Sequence, residues 1–258
     1  MPDPDRQDLD VGADARRIAV LRDAGRSPGL IWLPGFKSDM VSTKASVLSD
    51  WARQKGLACT RFDYSGHGQS AGRFEDGTIG RWLEETRAVF SQRTEGPTIV
   101  VGSSMGGYIA LLLLRQLMAE APEEAARIKA LVLVAPAWDM TEDLMWKQFP
   151  EQAKREIVEK GVWMRPSEYG EPYAITRNLI EEGRQHIIGP APWDPGRPVH
   201  ILHGLLDPDV PWEHTLDLES ILTGDWTRVT AVPDGDHRLS RPEDLDLLCR
   251  VVDHLASA

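Results

Sequence analysis

The sequence predicts an α/β fold with a mostly parallel central sheet, helices on both of its faces and one small helical cap. Three observations carry this. Short β-rich runs recur between longer helical patterns, several of those runs are apolar at consecutive positions, and one stretch beginning near residue 138 breaks the alternation. Strands buried between helix layers must be apolar on both faces. Strands that alternate with helices imply right-handed crossovers and a parallel sheet.

The expected strands are Arg17–Arg22, Leu30–Leu33, Ala58–Phe62, Thr98–Val101, Ala130–Val134, Val199–Leu202 and Arg228–Val232. Between them, Thr78–Arg93 places Ile79, Trp82, Leu83, Thr86, Val89 and Phe90 on one helical face. Ser240-Arg-Pro-Glu243 reads as a capping box opening a last helix whose Leu245, Leu248, Val252 and Leu255 recur at helical spacing. The break runs over about 138–192. It holds two helical patterns, Thr141–Glu159 and Tyr173–Gln185, no convincing long strand, and a proline-rich exit at Pro190, Pro192 and Pro195. A helical insertion between two strands would sit above the sheet. The 258 residues therefore read as one body, 1–258, interrupted by one cap.

Composition excludes several classes. The chain is 41% hydrophobic and 27% charged, which argues against a disordered or low-complexity protein. With 29 basic and 40 acidic residues the net charge is −11 and no Lys/Arg cluster interrupts it, so nucleic acid and anionic membrane surfaces are not expected partners. Two cysteines, Cys59 and Cys249, make neither a disulfide framework nor a four-cysteine zinc site. No metal and no cofactor are expected. The first ten residues carry four aspartates and no apolar run, unlike a secretory or transit signal, and the longest apolar run is Ile109–Leu114. These features predict a cytoplasmic protein without a membrane span.

The chemistry centres on Thr98-Ile-Val-Val-Gly-Ser-Ser-Met-Gly-Gly107, a strand that runs through a small-residue turn into a helix. Within it, Gly102-Ser-Ser-Met-Gly106 fits G-x-S-x-G. A sharp strand-to-helix turn holds the central serine in a strained conformation, and only glycines two residues to either side allow the backbones to approach. That register makes Ser104 the nucleophile and aims the Met105 N–H at the anion formed when the serine attacks a carbonyl.

A serine hydroxyl needs a base. His237 follows the last strand in Pro233-Asp-Gly-Asp-His237, a loop able to reach over the sheet edge. His67, in Ser65-Gly-His-Gly68, is the second candidate, with a loop-shaping role as its alternative. The base in turn needs an acid to fix its tautomer. Asp207 stands just past the strand Val199–Leu202, Asp209 is the alternative, and Asp236 is too near His237 in sequence to orient it. The order Ser104, Asp207, His237 is that of the α/β-hydrolases. A second oxyanion donor should come from Leu33-Pro-Gly-Phe36, with the Phe36 N–H beside Met105 and an ordinary glycine turn as the alternative. Gly66-x-Gly68-x-x-Ala71 imitates a dinucleotide fingerprint, but it leads into another loop rather than a helix N-terminus.

On these residues the chain resembles the α/β-hydrolases over nearly its whole length. More narrowly, it is similar to the mitochondrial abhydrolase-domain thioesterases that remove palmitoyl groups from protein cysteines and cleave acyl glucuronides, as a bacterial-type relative. The narrower likeness rests on Pro34-Gly-Phe36, Thr43-Lys-Ala45, Arg61-Phe-Asp-Tyr-Ser-Gly66, Gly102–Gly107 and Lys160-Gly-Val-Trp163 with Pro166-Ser-x-Tyr169. It extends to His203-Gly-x-x-Asp207 with Val210-Pro-Trp212, and to Asp236-His-Arg238. The resemblance implies the same triad, with Phe36 and Met105 as oxyanion donors, and no visible mitochondrial presequence precedes it.

The leading expectation is thus a serine hydrolase of carboxylic esters or thioesters, acting on a small-molecule acyl substrate through an acyl-enzyme on Ser104. Trp146, Trp163 and Met164 of the apolar cap are the candidate substrate-binding residues. The alternatives are hydrolysis of an amide or a carbon–carbon bond on the same triad, or a binding protein that kept the fold.

Overall fold

The apolar runs pair into one eight-stranded sheet in the computed structural model, which describes residues 4–166 and 171–258. In chain order the strands are β1 (Asp5–Arg6), β2 (Leu9–Val11), β3 (Arg16–Ile18), β4 (Val20–Asp23), β5 (Arg26–Leu33) and β6 (Leu57–Phe62). They continue with β7 (Thr98–Ser103), β8 (Ile128–Val134), β9 (Val162–Arg165), β10 (Tyr173–Thr176), β11 (Val199–Gly204) and β12 (Thr227–Val232). The helices are α1 (Thr43–Lys55), α2 (Ile79–Arg93), α3 (Met105–Glu120), α4 (Pro122–Ala125), α5 (Glu151–Lys160), α6 (Arg177–Gly183), α7 (Trp212–Ile221) and α8 (Pro242–Ser257). The main sheet runs β1-β4-β6-β5-β7-β8-β11-β12. Every pair from β6 to β12 is parallel, and only β4 and β1 add antiparallel edges.

The alternation of side chains across the pleat explains the two cores. Leu30, Trp32, Ile99, Val101, Ala130 and Val132 face α1 and α8, while Ile31, Leu33, Val100, Leu131 and Leu133 face α2, α3 and α7. Both faces are covered, as the consecutive apolar positions require. The register then aligns the carboxyl ends, pairing Leu33 with Gly102, Ser103 with Val134 and Gly204 with Val232. The loops after β5, β7, β8, β11 and β12 therefore leave one edge of the sheet together, where open α/β sheets bind ligands.

Local chemistry sets several boundaries. Thr78 caps α2, its Oγ1 accepting the Arg81 N–H at 3.2 Å, an interaction worth about 1 kcal/mol. The box that opens α8 sits one residue later than the sequence reading. Arg241 is the N-cap, Asp244 accepts its N–H at 3.1 Å, and Pro242 occupies the first helical position, where a missing N–H costs nothing. The expected strand Arg17–Arg22 is two strands. Ala19 separates them because its N–H goes to Ser70 Oγ (2.8 Å) and its carbonyl to the Asp63 N–H (3.1 Å), leaving it no sheet partner.

The segment between β8 and β11 is less helical than expected. A wide helical turn at Thr141–Trp146 stops before Pro150, α5 follows, and Tyr173–Thr176 is a strand rather than the start of a helix. It pairs with β9, Tyr173 against Arg165 and Thr176 against Val162, and Thr176 Oγ1 then caps α6 through the Leu179 N–H (3.1 Å). Ser167 and Tyr169 of the family-like stretch lie outside the described residues. Three contacts fasten the segment to the body. Trp138 and His214 stack at 4.9 Å and exchange hydrogen bonds of 2.8 Å, Tyr108 OH donates to His186 O at 2.7 Å, and Glu182 accepts the Gly80 N–H at the start of α2. Asp139 closes the segment on itself by accepting the Ile188 and Gly189 amides. Among the described residues no helix is long and apolar enough to cross a membrane.

Candidate active site

Ser104 sits where β7 turns into α3, with φ 53° and ψ −117°, a conformation an L-residue adopts only under constraint. The constraint is visible in its glycines. A Cβ on Gly102 would lie 2.3 Å from the Gly106 carbonyl oxygen, and one on Gly106 would lie 2.0 Å from the Leu33 carbonyl oxygen. The turn is thus wedged against the end of β5. Ser104 N–H donates to Val134 O (2.8 Å), and its carbonyl accepts from Gly107 (2.9 Å) and Ala137 (3.1 Å), which fixes the side chain's direction.

The structure brings the three sequence candidates together. His237 Nε2 lies 3.0 Å from Ser104 Oγ, and His237 Nδ1 lies 2.7 Å from Asp207 Oδ2. Asp207 Oδ1 accepts the Asp209 and Val210 N–H groups at 2.8 and 2.9 Å, so a buried carboxylate is shared between the loop backbone and the imidazole. Burial alone would raise the Asp207 pKa. The hydrogen bond and charge of His237, with the Val210 and Asp209 amides, outweigh it and hold the carboxyl below its ordinary value. Asp209 itself is exposed, and Asp236 spends Oδ1 on the Arg238 and Leu239 amides at 3.0 Å.

Several other histidines have other partners. His200 meets Thr230 (2.8 Å), His203 meets Thr215 (2.8 Å) and His186 meets Glu182 (2.6 Å). Neither cysteine competes as a nucleophile, because burial pushes the Cys59 thiol up to about 12 and Cys249 to about 11. Asp207, Asp209 and His237 bring ligand atoms within 4.8 Å of one another, but Asp207 and His237 are already committed to each other.

The loop after β5 abuts the serine. A Cβ on Gly35 would lie 3.4 Å from Ser104 Cβ and 3.2 Å from the Ser103 carbonyl oxygen, so Phe36 follows directly beside Ser104. Met105 is the first residue of α3, and its N–H therefore has no carbonyl one turn back within the helix. The turn Asp63–Ser70 clamps this loop. Asp63 Oδ1 accepts the Met40 N–H at 2.7 Å, Arg61 Nη1 donates to Met40 O at 3.1 Å, and His67 Nε2 accepts the Lys37 N–H at 3.1 Å. A Cβ on Gly68 would lie 2.1 Å from the Asp63 carboxylate, which explains the glycine pattern that imitates a dinucleotide fingerprint.

Lys44 braces the histidine loop from α1, its Nζ donating to Arg238 O and, at 3.3 Å, to Ser240 Oγ. Desolvation lowers its pKa to about 8. Asp63 and Lys44 lie in family-like motifs, Arg61–Gly66 and Thr43–Ala45, but neither was an expected site residue. The left-handed residues Lys37, Ser104, Ala135, Asp139 and Leu239 all stand in these converging loops.

Of the residues expected to bind substrate, Trp163 is half-buried and meets Phe149 edge-on at 4.9 Å, and Trp146 is half-buried beneath the Arg184 guanidinium at 5.2 Å. Met164, the next residue along β9, is 52% exposed, as alternation along a strand requires when Trp163 turns inward. The hairpin touches the loop after β5 through Tyr173, whose ring lies 6.0 Å from Phe36 and 4.2 Å from Lys37 Nζ.

Residues 30–182 match the family model described as serine aminopeptidase, S33. The chain belongs to that family of α/β-hydrolases. Over 244 residues this hydrolase is 35% identical to the human mitochondrial palmitoyl-protein thioesterase ABHD10, covering 94% of this chain and 77% of that protein. Among solved structures it superposes on a protein from Agrobacterium vitis S4 with a TM-score of 0.94 and 44% identity, covering 99% of this chain and 100% of the other. It superposes on α/β-hydrolase domain-containing protein 10 from mouse with a TM-score of 0.85 and 32% identity, covering 97% and 98%. The family and these relatives support a serine hydrolase of ester or thioester type. The ABHD10 relatives are mitochondrial by name and so lend no support to the cytoplasmic expectation.

Proposed function

We propose that this α/β-hydrolase cleaves thioesters or lipophilic carboxylic esters through an acyl-enzyme intermediate on Ser104. The observation that carries the reading is the unbroken chain of hydrogen bonds from Ser104 Oγ through His237 to the buried Asp207. His237 Nε2 takes the Ser104 proton as Oγ bonds to the acyl carbon. Asp207 holds the proton on Nδ1 and stabilises the imidazolium that forms. The Phe36 and Met105 N–H groups receive the oxyanion, and removing one such donor costs about 100- to 1,000-fold in rate in serine hydrolases generally. His237 then protonates the departing alkoxide or thiolate. Water enters, gives its proton to His237, and releases the acid as the proton returns to Ser104. These steps call for no cofactor.

The thioesterase relatives favour an acyl thioester, and the acyl chain is assigned to the apolar side of the segment near Trp146 and Trp163, while Met164, exposed on the other face of β9, is left out of it. Comparing kcat/KM on acyl thioesters, p-nitrophenyl esters of graded length and amides tests this. Thioesters and longer esters should lead. Amide rates equal to ester rates would move the reading to the peptidase activity in the family's description. Trp163→Ala should raise KM for long acyl chains more than for acetyl. Equal effects on both would remove Trp163 from the acyl site.

A further inference from the structure

The Ser65-Gly-His-Gly68 motif has no part in the triad, yet its histidine is placed as firmly as any residue of the site. His67 is 5% exposed. Its ring is packed edge-on by Phe74 at 5.2 Å, Trp82 at 5.4 Å and Tyr64 at 5.9 Å, with Phe36 at 6.4 Å. The partners define one tautomer. Nε2 accepts the Lys37 N–H at 3.1 Å and so carries no proton, while Nδ1 lies 3.2 Å from Ser65 O, where only an N–H fits. Desolvation lowers its pKa to about 4, which keeps the ring neutral and the acceptor available at neutral pH.

The bond lands one peptide beyond the oxyanion donor. Lys37 is left-handed at φ 59°, a strained state for a residue with a side chain, which persists only where its surroundings hold it. Gly35 is set by its approach to Ser103 and Ser104, and the Gly35 carbonyl accepts the Ser38 N–H at 3.0 Å. The Phe36 ring is fixed by Phe74 at 5.0 Å and Trp82 at 5.9 Å. The next peptide plane, between Phe36 and Lys37, meets the plane carrying the Phe36 N–H at the Phe36 Cα, and His67 accepts its N–H.

We propose that His67 is a positioning residue for the oxyanion site, its unprotonated Nε2 holding the Lys37 amide so that the adjoining Phe36 N–H stays aimed at the carbonyl attacked by Ser104. This rests on the hydrolase reading above and on Phe36 as a donor.

His67→Phe keeps an aromatic ring but removes the acceptor, and His67→Gln returns an acceptor of similar reach. On a short p-nitrophenyl ester, His67→Phe lowers kcat about 10- to 100-fold with KM within about twofold. It weakens a trifluoromethyl ketone, whose adduct carries the oxyanion, by the same factor. The acid limb of the kcat/KM profile stays where it is, because the Asp207–His237 pair is untouched. His67→Gln recovers kcat to within about threefold of the parent. A kcat within about twofold in His67→Phe overturns the proposal, as does a loss that leaves ketone affinity intact or a His67→Gln enzyme as slow as His67→Phe. If His67→Phe does not fold, the imidazole 15N spectrum of the parent decides. Nδ1-protonated His67 signals that move when the ketone binds support the proposal, and an Nε2-protonated ring, or signals indifferent to the ketone, overturn it. Fluorophosphonate labelling of the parent but not of Ser104→Ala is the control. Its failure would sink the hydrolase reading itself, which is a different result from an unaffected His67→Phe enzyme.

Discussion

Replacing Asp207 by asparagine isolates the tautomer-fixing role of the acid, and the structure says which way the new amide must point. Oδ1 of Asp207 faces two backbone N–H donors at 2.8 and 2.9 Å, from Asp209 and Val210. An asparagine Nδ2 there would set donor against donors, so its oxygen stays on the loop and its NH2 faces His237 Nδ1, now 2.7 Å from Oδ2. The imidazole can accept that bond only by moving its proton to Nε2. The protonated Nε2 then donates to Ser104 Oγ and cannot take its proton. In a triad this change costs about 10,000-fold in kcat, or about 5.5 kcal/mol of transition-state stabilisation. Both loop bonds survive, so the protein folds. The assay is kcat/KM on a p-nitrophenyl ester with circular dichroism as the folding check. Asp209→Asn is the companion, since that side chain is exposed and only its backbone N–H is used; it should stay within a few-fold of the parent. Asp207→Asn activity within about tenfold of the parent, or an equal collapse in Asp209→Asn, would refute the reasoning.

Three further outcomes follow from the geometry. The folded-state pKa of His67 is depressed to about 4, so between there and the ordinary histidine value of about 6.5 the unfolded chain binds a proton the folded ring refuses, and stability falls as pH drops through that window. Urea unfolding at pH 7 and pH 4.5 should show the parent losing roughly 2–3 kcal/mol more than His67→Gln, and equal losses would contradict the burial argument. Gly106→Ala drives a Cβ to 2.0 Å from the Leu33 carbonyl oxygen, so it should cost about 1–3 kcal/mol in unfolding experiments and at least about tenfold in kcat; unchanged turnover would detach the end of β5 from catalysis. Lys44→Met removes the brace on Arg238 O and Ser240 Oγ, and esterase assays should show kcat reduced about tenfold with KM held, whereas full activity would make that contact incidental.

The sheet was legible because a strand buried on both faces must be apolar throughout, and Thr98–Ser103 and Ile128–Val134 have no other use for such composition. The triad candidates were legible for a different reason. Each lies in the loop after a strand end, and register brings strand ends together. What escaped depends on partners distant in sequence. Ala19 breaks a strand because Ser70 and Asp63 claim its backbone, and Tyr173–Thr176 is extended because Val162–Arg165 lies beside it. No local propensity encodes either contact. Arg241 caps α8 through a guanidinium paired with Asp244, a role usually taken by a short oxygen-bearing side chain, which drew the expected cap to Ser240. Ser240 instead serves the Lys44 contact. His67 was a second candidate base with a loop-shaping role as its alternative, and it is the loop-shaping role that the Lys37 contact fits; that partner, like the Met40 partner of Asp63, comes from the distant loop after β5.

Whether Ser104 is a nucleophile activated by His237 is tested most directly by covalent labelling. Purified protein treated with a fluorophosphonate and analysed by peptide mass spectrometry should carry one adduct, on the peptide containing Ser104. Ser104→Ala should remain unlabelled, and His237→Ala should label at least about 100-fold more slowly. Equal labelling of Ser104→Ala, or no adduct on the parent at all, would contradict the account.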